Sequence, residues 1–232
     1  MMFYFSESNY SRKIKLLFFC SLKPIVRLIL LLISCVLFKV NVCYAEDTLS
    51  SLMQRMKSDS AVRIEYQEIK ELELLEQPWH GSGFMYSMPP DMMIREQIKP
   101  ERILMGVKAD KLYYFDTENN VRHQAEMDEE NPMSLNIAMF KALMNGDEVL
   151  LHDLYQVDFS ASPKRWVMHL IPKKNRDSGP KIVVSGSANT QADMIRINKA
   201  DGDVTEFLLK NSTAGEEINK MVNQLYLEIL GE

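Results

Sequence analysis

The chain has 232 residues, of which 46% are hydrophobic and 25% charged, and its formal net charge is −5. This length is sufficient for one domain with a sizeable buried core, and the composition is ordinary for a globular protein. The acidic balance argues against a nucleic-acid partner, because proteins that bind nucleic acids place basic side chains against the phosphates.

The first predicted element is a secretory signal peptide over residues 1–45. Two basic side chains precede an apolar run over residues 28–38, and Ala45 is a small residue before the expected cut. The run of about 11 residues is too short for a comfortable membrane span. We therefore expect cleavage near Ala45 and a mature domain over residues 46–232, with an uncleaved N-terminal anchor as an alternative.

A second alternative for this segment is a bacterial lipoprotein signal. Residues 32–35 read Leu-Ile-Ser-Cys, which fits a lipidation motif that would make Cys35 the acylated N-terminus. The residues after Cys35 are still apolar, however, whereas a mature lipoprotein usually starts with polar residues. Cleavage near Ala45 would remove all three cysteines and leave 21 basic and 31 acidic residues, a net charge of −10. Such an exported domain has no disulfide and depends on its own core.

The mature part is predicted to begin with a helix and to continue as short strands. Over residues 46–58 the apolar side chains recur at the spacing of one helical face. From Val62 the hydrophobic period changes to two, which is typical of a half-buried strand. Strands are predicted near residues 62–74, 82–88, 92–98, 102–107, 111–116 and 121–127.

The second half of the chain is predicted to hold a helix, five more strands and a final helix. Asn131-Pro132 predicts the capped start of a helix that Gly146 ends. Strands are then predicted near residues 154–160, 165–171, 181–187, 192–198 and 203–210. Thr213 and Glu216 have the spacing of a capping box, which predicts an amphipathic helix at the C-terminus.

These elements predict a mainly β domain with α-helices. Its eleven or so strands are joined by connections too short for parallel crossovers, so the sheet should be antiparallel. A sheet of this size tends to curl, which favours an incomplete barrel. The inner helices must bury their apolar stripes, and the concave face of the sheet is the natural place. We therefore expect helices that cover an apolar cavity.

No pattern in the sequence predicts catalysis. There is no nucleophile elbow, phosphate loop or dinucleotide fingerprint. The four histidines, His80, His123, His152 and His169, are far apart and have no cysteine partner, so a zinc site is not predicted. We expect no enzyme activity, no metal and no cofactor.

The mature part is unusually rich in methionine. Met1 and Met2 account for two of the sixteen methionines, so fourteen follow residue 45. Methionine adapts to irregular apolar shapes and is common on surfaces that bind varied partners. The residues alone are consistent with a methionine-rich core or with a lipid-sized cavity beneath the helices.

The order of short motifs resembles the LolA-like family of periplasmic lipoprotein carriers. The residues that carry the resemblance are Tyr66-Gln67, Gly83–Tyr86, Pro90–Met93, Lys99–Glu101, Asp110–Asp116, Asn131-Pro132, Leu170–Lys173 and Asp201–Thr205. Each motif by itself is weak evidence, and the resemblance depends on the motifs following the family's order over residues 48–210.

The resemblance implies an incomplete antiparallel barrel with a helical lid over an apolar cavity. It also implies a monomeric periplasmic protein that carries acylated lipoprotein or lipid cargo between inner- and outer-membrane donor and acceptor proteins. A non-transporting sensor of envelope lipids on the same fold is the alternative. The residues expected to line the cavity and lid are Met85, Met93, Leu104, Tyr113, Phe115, Ile137, Phe140, Met144 and Trp166.

The chain departs from the family pattern at two positions of one hairpin. Pro89 stands where the family has an arginine that locks the lid, and Arg95 replaces the tryptophan that usually follows. The chain also ends in a predicted helix instead of the usual final strand and tail. These departures predict a changed lid mechanism and favour cargo other than a standard lipoprotein, such as another acylated lipid.

Overall fold

The computed structural model describes residues 48–128, 132–174, 176 and 179–232. The predictions for residues 1–45, including cleavage near Ala45 and lipidation of Cys35, and the helix cap at Asn131 lie outside these ranges. The helices are α1 (Leu49–Met56), α2 (Pro132–Asn145), α3 (Glu148–Leu154) and α4 (Glu216–Leu230). The strands are β1 (Val62–Glu71), β2 (Trp79–Met88), β3 (Met92–Lys99), β4 (Ile103–Lys108), β5 (Lys111–Asp116), β6 (Val121–Glu126), β7 (Tyr155–Ala161), β8 (Arg165–Pro172), β9 (Lys181–Ser187), β10 (Met194–Asn198) and β11 (Val204–Ala214).

All eleven strands belong to one antiparallel sheet in the order β6-β5-β4-β3-β2-β1-β11-β10-β9-β8-β7. Consecutive strands pair as hairpins within β1–β6 and within β7–β11, and the pairing of β1 with β11 joins the two halves of the chain at the centre of the sheet. The edge strands β6 and β7 are not paired with each other, so the sheet is open. The predicted incomplete antiparallel barrel is therefore confirmed. None of the helices in the described ranges is both long and apolar enough to cross a membrane.

Helices cover both faces of the sheet. Side chains alternate between the faces along each strand, so neighbouring residues of one strand pack against different helices. On β2, for example, Met85 belongs to the cluster packed by α1, α2 and α3, whereas Tyr86 belongs to the cluster packed by α4. We call the face of Met85 the inner face and the face of Tyr86 the outer face.

The C-terminal helix α4 packs on the outer face, over β2 to β5. Its buried residues are Ile218, Val222, Leu225 and Ile229, and they meet Ile94, Leu104 and Phe115 of the sheet. Arg102 holds the far end of the helix: its Nη2 lies 2.9 Å from Oε1 of Glu96 and 3.0 Å from Oε2 of Glu228. The hydrogen bond from Arg102 lowers the pKa of Glu228.

The predicted capping box of this last helix is wrong. Thr213 belongs to β11, where it pairs with Arg63 of β1, and α4 begins after Gly215, which has a φ of 134° and makes no side-chain cap. The strand pairing with β1 extends past the predicted end of β11, so Thr213 remains extended and cannot cap. Beyond the three predicted helices there is also α3, which Asp147 caps by accepting a hydrogen bond from the amide of Leu150 at 2.9 Å.

Candidate functional site

Three helices, α1, α2 and α3, pack on the inner face of the sheet, and we refer to them together as the lid. Thr48 and Ser51 form a reciprocal capping box that starts α1. Ser50 Oγ donates a hydrogen bond to Oε1 of Glu148 at 3.0 Å, which links α1 to α3. The buried lid residues are Leu52, Met53, Met56, Met139, Phe140, Ala142, Leu143 and Leu151. The lid contributes no strand to the sheet, although the end of α3 runs directly into β7 and the carbonyl of Leu154 accepts a hydrogen bond from the amide of Lys173 at 3.0 Å.

Gly146 allows the end of α2 to lie directly against the end of α1. Its φ is +63°, and a Cβ at this position would be 2.2 Å from the carbonyl oxygen of Met53 and 2.8 Å from the amide nitrogen of Lys57. Both neighbours are backbone atoms, which cannot rotate away. Any side chain at residue 146 must therefore separate the two lid helices.

We expect Gly146→Ala to lower the free energy of unfolding by about 2–3 kcal/mol, since it adds a backbone clash to the strain of a positive φ. Urea denaturation measures the loss. Gly202→Ala is the matched control, because Gly202 also has a positive φ of 92° but, in the described part of the chain, no atom lies within 4 Å of a Cβ there. The control should lose only about 1 kcal/mol, and equal losses in the two variants would contradict the close approach of α1 and α2.

The lid and the inner face enclose an apolar pocket. Ten of its eleven lining residues are apolar: Met56, Val62, Ile64, Met85, Phe140, Leu143, Met144, Gln191, Ala192, Ile195 and Leu209. Phe140 of α2 contacts the sheet, with its ring edge-to-face on that of Phe207 of β11 at 5.1 Å between ring centres. Three flexible methionines and one phenylalanine thus surround a space without fixed polar geometry, which suits a chain-like apolar ligand.

The pocket is small in this conformation. Its cavity volume is about 30 Å³, room for only a few water molecules, whereas sites for organic ligands are typically about 300–1,000 Å³. A ligand of that size therefore enters only if the lid moves away from the inner face.

The sequence-predicted site residues divide between the two faces. Met85, Phe140 and Met144 line the pocket. Met93 and Trp166 are buried in the same inner-face cluster but outside the pocket lining. Ile137 is half-buried on α2 and also lies outside the lining.

Leu104, Tyr113 and Phe115 lie on the outer face, beneath α4. The structure therefore does not bring them to the pocket. The register explains the difference: Leu104 pairs with Glu96 and Phe115, so these residues share one face, whereas Met93 and Arg95 of β3 point to the other face. Because α4 buries the outer face, β3 and β4 carry buried apolar side chains on both faces, and alternation alone does not distinguish the two faces.

Sequence reasoning missed most of the remaining pocket wall. Met56 and Leu143 lie on apolar stripes of helical spacing in the sequence, but no signal in the sequence places them at a cavity. Ile64, Ile195 and Leu209 come from three strands that meet only because β1 pairs with β11 and β11 with β10. The alternating pattern of β1 could have placed half-buried Ile64 on the same face as Val62 and Tyr66, although it could not have identified its partners.

A polar cluster borders the apolar wall on the inner face. Arg95 of β3 forms an ion pair with Glu68 of β1, which is only 2% exposed, and Arg95 Nε donates to the hydroxyl of Tyr66 at 3.0 Å. Burial raises the pKa of Tyr66 to about 12, so its hydroxyl stays protonated at neutral pH. Within the part of the chain that the structure describes, no group of three or more His, Cys, Asp or Glu side chains is arranged to hold a metal ion.

Comparison with known proteins identifies one family. The model of the family described as outer membrane lipoprotein carrier protein LolA-like matches residues 44–224. A search of curated proteins gives no match.

Several solved structures resemble the chain at low identity. A Vibrio parahaemolyticus domain named for outer membrane lipoprotein sorting has 12% identity and a TM-score of 0.43, with coverage of 76% of this chain and 96% of that one. A LolA superfamily protein from Nitrosomonas europaea has 7% identity and a TM-score of 0.41, with coverage of 73% and 94%. A DUF1329 family protein from Desulfovibrio piger has 11% identity and a TM-score of 0.40, with coverage of 72% and 90%.

Proposed function

Because the chain belongs to the LolA-like family of outer membrane lipoprotein carrier proteins, we propose that it binds the acyl chains of a lipid or lipoprotein beneath its lid. In this proposal residues 1–45 direct export, residues 46–232 act in the periplasm as a monomer, and cargo passes from an inner-membrane donor towards an outer-membrane acceptor.

The apolar pocket between lid and sheet is the observation that carries the proposal. An acyl chain in water costs about 0.8 kcal/mol for each exposed methylene group, and a pocket of methionine, leucine, isoleucine and phenylalanine side chains removes this cost. Such walls hold a chain through shape and burial alone, so chains of different length and branching are accepted.

The architecture supports uptake by lid movement. The small cavity requires displacement of α1, α2 and α3, and these helices are joined to the sheet at the start of β1 and between the edge strands β6 and β7. Their displacement breaks side-chain contacts such as Phe140 with Phe207 but no strand pairing. The sheet can therefore remain folded while the lid opens, and acyl chains replace the lost contacts.

Native mass spectrometry of the protein purified gently from the envelope fraction tests the binding step. We expect a population whose mass exceeds that of the protein by one lipid, and we expect protein freed of lipid to take up palmitate or a diacylated lipopeptide. A protein that neither carries nor accepts either ligand contradicts the proposal.

Transport is tested separately by incubating loaded protein with acceptor liposomes. A carrier should release labelled lipopeptide to the liposomes in proportion to time and protein concentration. Stable binding without release would contradict transport and would favour the non-transporting sensor.

A further inference from the structure

A charged cluster lies on the inner face next to the apolar pocket. It consists of Tyr66, Glu68 and Lys70 on β1 together with Arg95 and Gln97 on β3, and we call it the inner polar cluster. Glu68 is 2% exposed and Gln97 is 5% exposed. Polar side chains at this depth are costly to bury unless they are hydrogen-bonded, so their position beside an apolar pocket calls for a role.

Strand register places this cluster in contact with the pocket wall. Arg95 is directly opposite Met85 on the neighbouring strand, and Met85 is directly opposite Ile64. Met85 and Ile64 both line the pocket. Side chains of directly opposed residues are neighbours on one face, so Arg95, although not itself a lining residue, lies beside Met85 of the pocket wall.

The same guanidinium is also close to the lid. Arg95 lies 5.1 Å from the ring centre of Tyr66 and 5.9 Å from that of Phe207. Phe207 in turn contacts Phe140 of α2 at 5.1 Å between ring centres. A ligand that displaces Phe140 from Phe207 therefore comes to lie beside Arg95.

The cluster carries an excess of positive charge. Glu68 is paired with both Arg95 and Lys70, the latter at 3.3 Å, so two cations share one carboxylate. Two positive charges against one negative charge favour an additional anion.

Arg95 also has a nitrogen with spare hydrogen-bonding capacity. Its Nε donates to Tyr66, and its Nη2 donates to Glu68 and, at 3.3 Å, to Oε1 of Gln97. Among the described residues, the hydrogen-bond contact found for Nη1 is the thioether sulfur of Met105 at 4.0 Å. A thioether is a weak acceptor, whereas a guanidinium nitrogen of this kind offers two strong donors. Only 16% of the Arg95 side chain is exposed. Its other hydrogen bonds hold it in place, while Nη1 remains able to donate to a stronger acceptor than the thioether.

We propose that the inner polar cluster binds the anionic oxygen of an amphipathic lipid, a carboxylate or a phosphate, through Nη1 of Arg95 while the acyl chain fills the pocket. This inference rests on the proposed function. The hydrogen bond is charge-assisted and sheltered from water, which makes it stronger than an exposed contact. The apolar pocket holds the chain, and the cluster selects lipids by their polar end.

Three ligands with the same sixteen-carbon chain test the proposal: palmitate, hexadecyl phosphate and uncharged methyl palmitate. Each displaces a neutral fluorescent alkyl probe from the full protein at pH 8. We expect at least one of the two anions to bind ten or more times tighter than the ester, because a charge-assisted hydrogen bond is about twice as strong as a neutral one. The tighter of the two anions identifies whether a carboxylate or a phosphate is the natural polar end.

Variants then assign the preference to the cluster. Arg95→Gln combined with Glu68→Gln removes both paired charges, and it should reduce the affinity for the anions to that for methyl palmitate while leaving the ester unchanged. Glu68→Gln alone keeps the guanidinium and should keep the preference. Arg95→Lys retains an ion pair with Glu68, which protects folding, but lacks the forked nitrogens and should lose most of the preference.

The outcomes separate the two proposals. If all three ligands bind equally to the unaltered protein, or if the preference survives in both Arg95 variants, the inner polar cluster is not a subsite although acyl binding stands. If none of the three ligands binds, the proposed function fails, and the subsite fails with it.

Discussion

Phe140→Asp is expected to abolish acyl-chain binding while the sheet remains folded. Phe140 is 7% exposed, lines the pocket and packs edge-to-face on Phe207. An unpaired carboxylate there would face the acyl chain, and burying it costs several kcal/mol. A loss of about 3 kcal/mol corresponds to more than 100-fold in Kd. Displacement of a fluorescent fatty acid measures this loss, and circular dichroism reports whether the strands persist.

Val149→Asp is the matched control for this substitution. Val149 lies on α3 of the same lid but is 72% exposed, so a carboxylate there stays in water and should change stability by no more than about 0.5 kcal/mol. Lipid binding should be unchanged in this control. Phe140→Leu, which retains an apolar side chain, should weaken binding far less than the aspartate variant. Full binding by Phe140→Asp would show that α2 does not gate the pocket.

Tying the lid to the sheet should block lipid uptake reversibly. Ser87 on β2 donates a hydrogen bond to Oδ1 of Asn145 at the end of α2, so this pair reports contact between the lid and the inner face. Cysteines at both positions, joined by a short bis-methanethiosulfonate linker, should hold the lid down. We expect uptake to fall at least tenfold and to recover after reduction, because the cavity of about 30 Å³ cannot admit a chain unless the lid moves.

The chain is well suited to this experiment. Its natural cysteines, Cys20, Cys35 and Cys43, all precede residue 46, and serine replacements would leave only the engineered thiols. Ser87→Cys and Asn145→Cys, each treated with the linker separately, control for the substitutions and for the reagent. Uptake that continues at its full rate in the linked protein would mean that lipid enters by a route other than lid opening.

The sequence predicts part of the helical side of the site. Phe140 and Met144 are predicted cavity residues that line the pocket, whereas the predicted Ile137 lies outside the lining. The helical period determines which side chains share one face of a helix. When the opposite face is polar and solvated, the apolar face must be the one that packs against the sheet. For α2 the apolar stripe therefore indicated both the buried face and its direction, whereas the short α3 lacked enough periodic positions to be recognised.

The strand residues of the site were less predictable. Met92, Met93 and Ile94 are three consecutive buried residues, so this part of β3 shows no alternation between a solvent-exposed and a buried face. Leu104 and Phe115 were assigned to the cavity although they lie under α4. A shift of one residue in the assumed register moves a whole strand to the other face, and a sheet buried on both sides removes the pattern that would reveal the error.

The sequence by itself determined the strands, their antiparallel pairing into one open sheet, and the apolar stripes of the helices, because these depend on local periodicity and short connections. Only the tertiary structure decided that β1 pairs with β11, that α4 covers the outer face, and that Arg95 lies opposite Met85 beside the pocket. Such contacts join residues far apart in the chain, and their energies depend on which surfaces meet. No local pattern in the sequence encodes that choice.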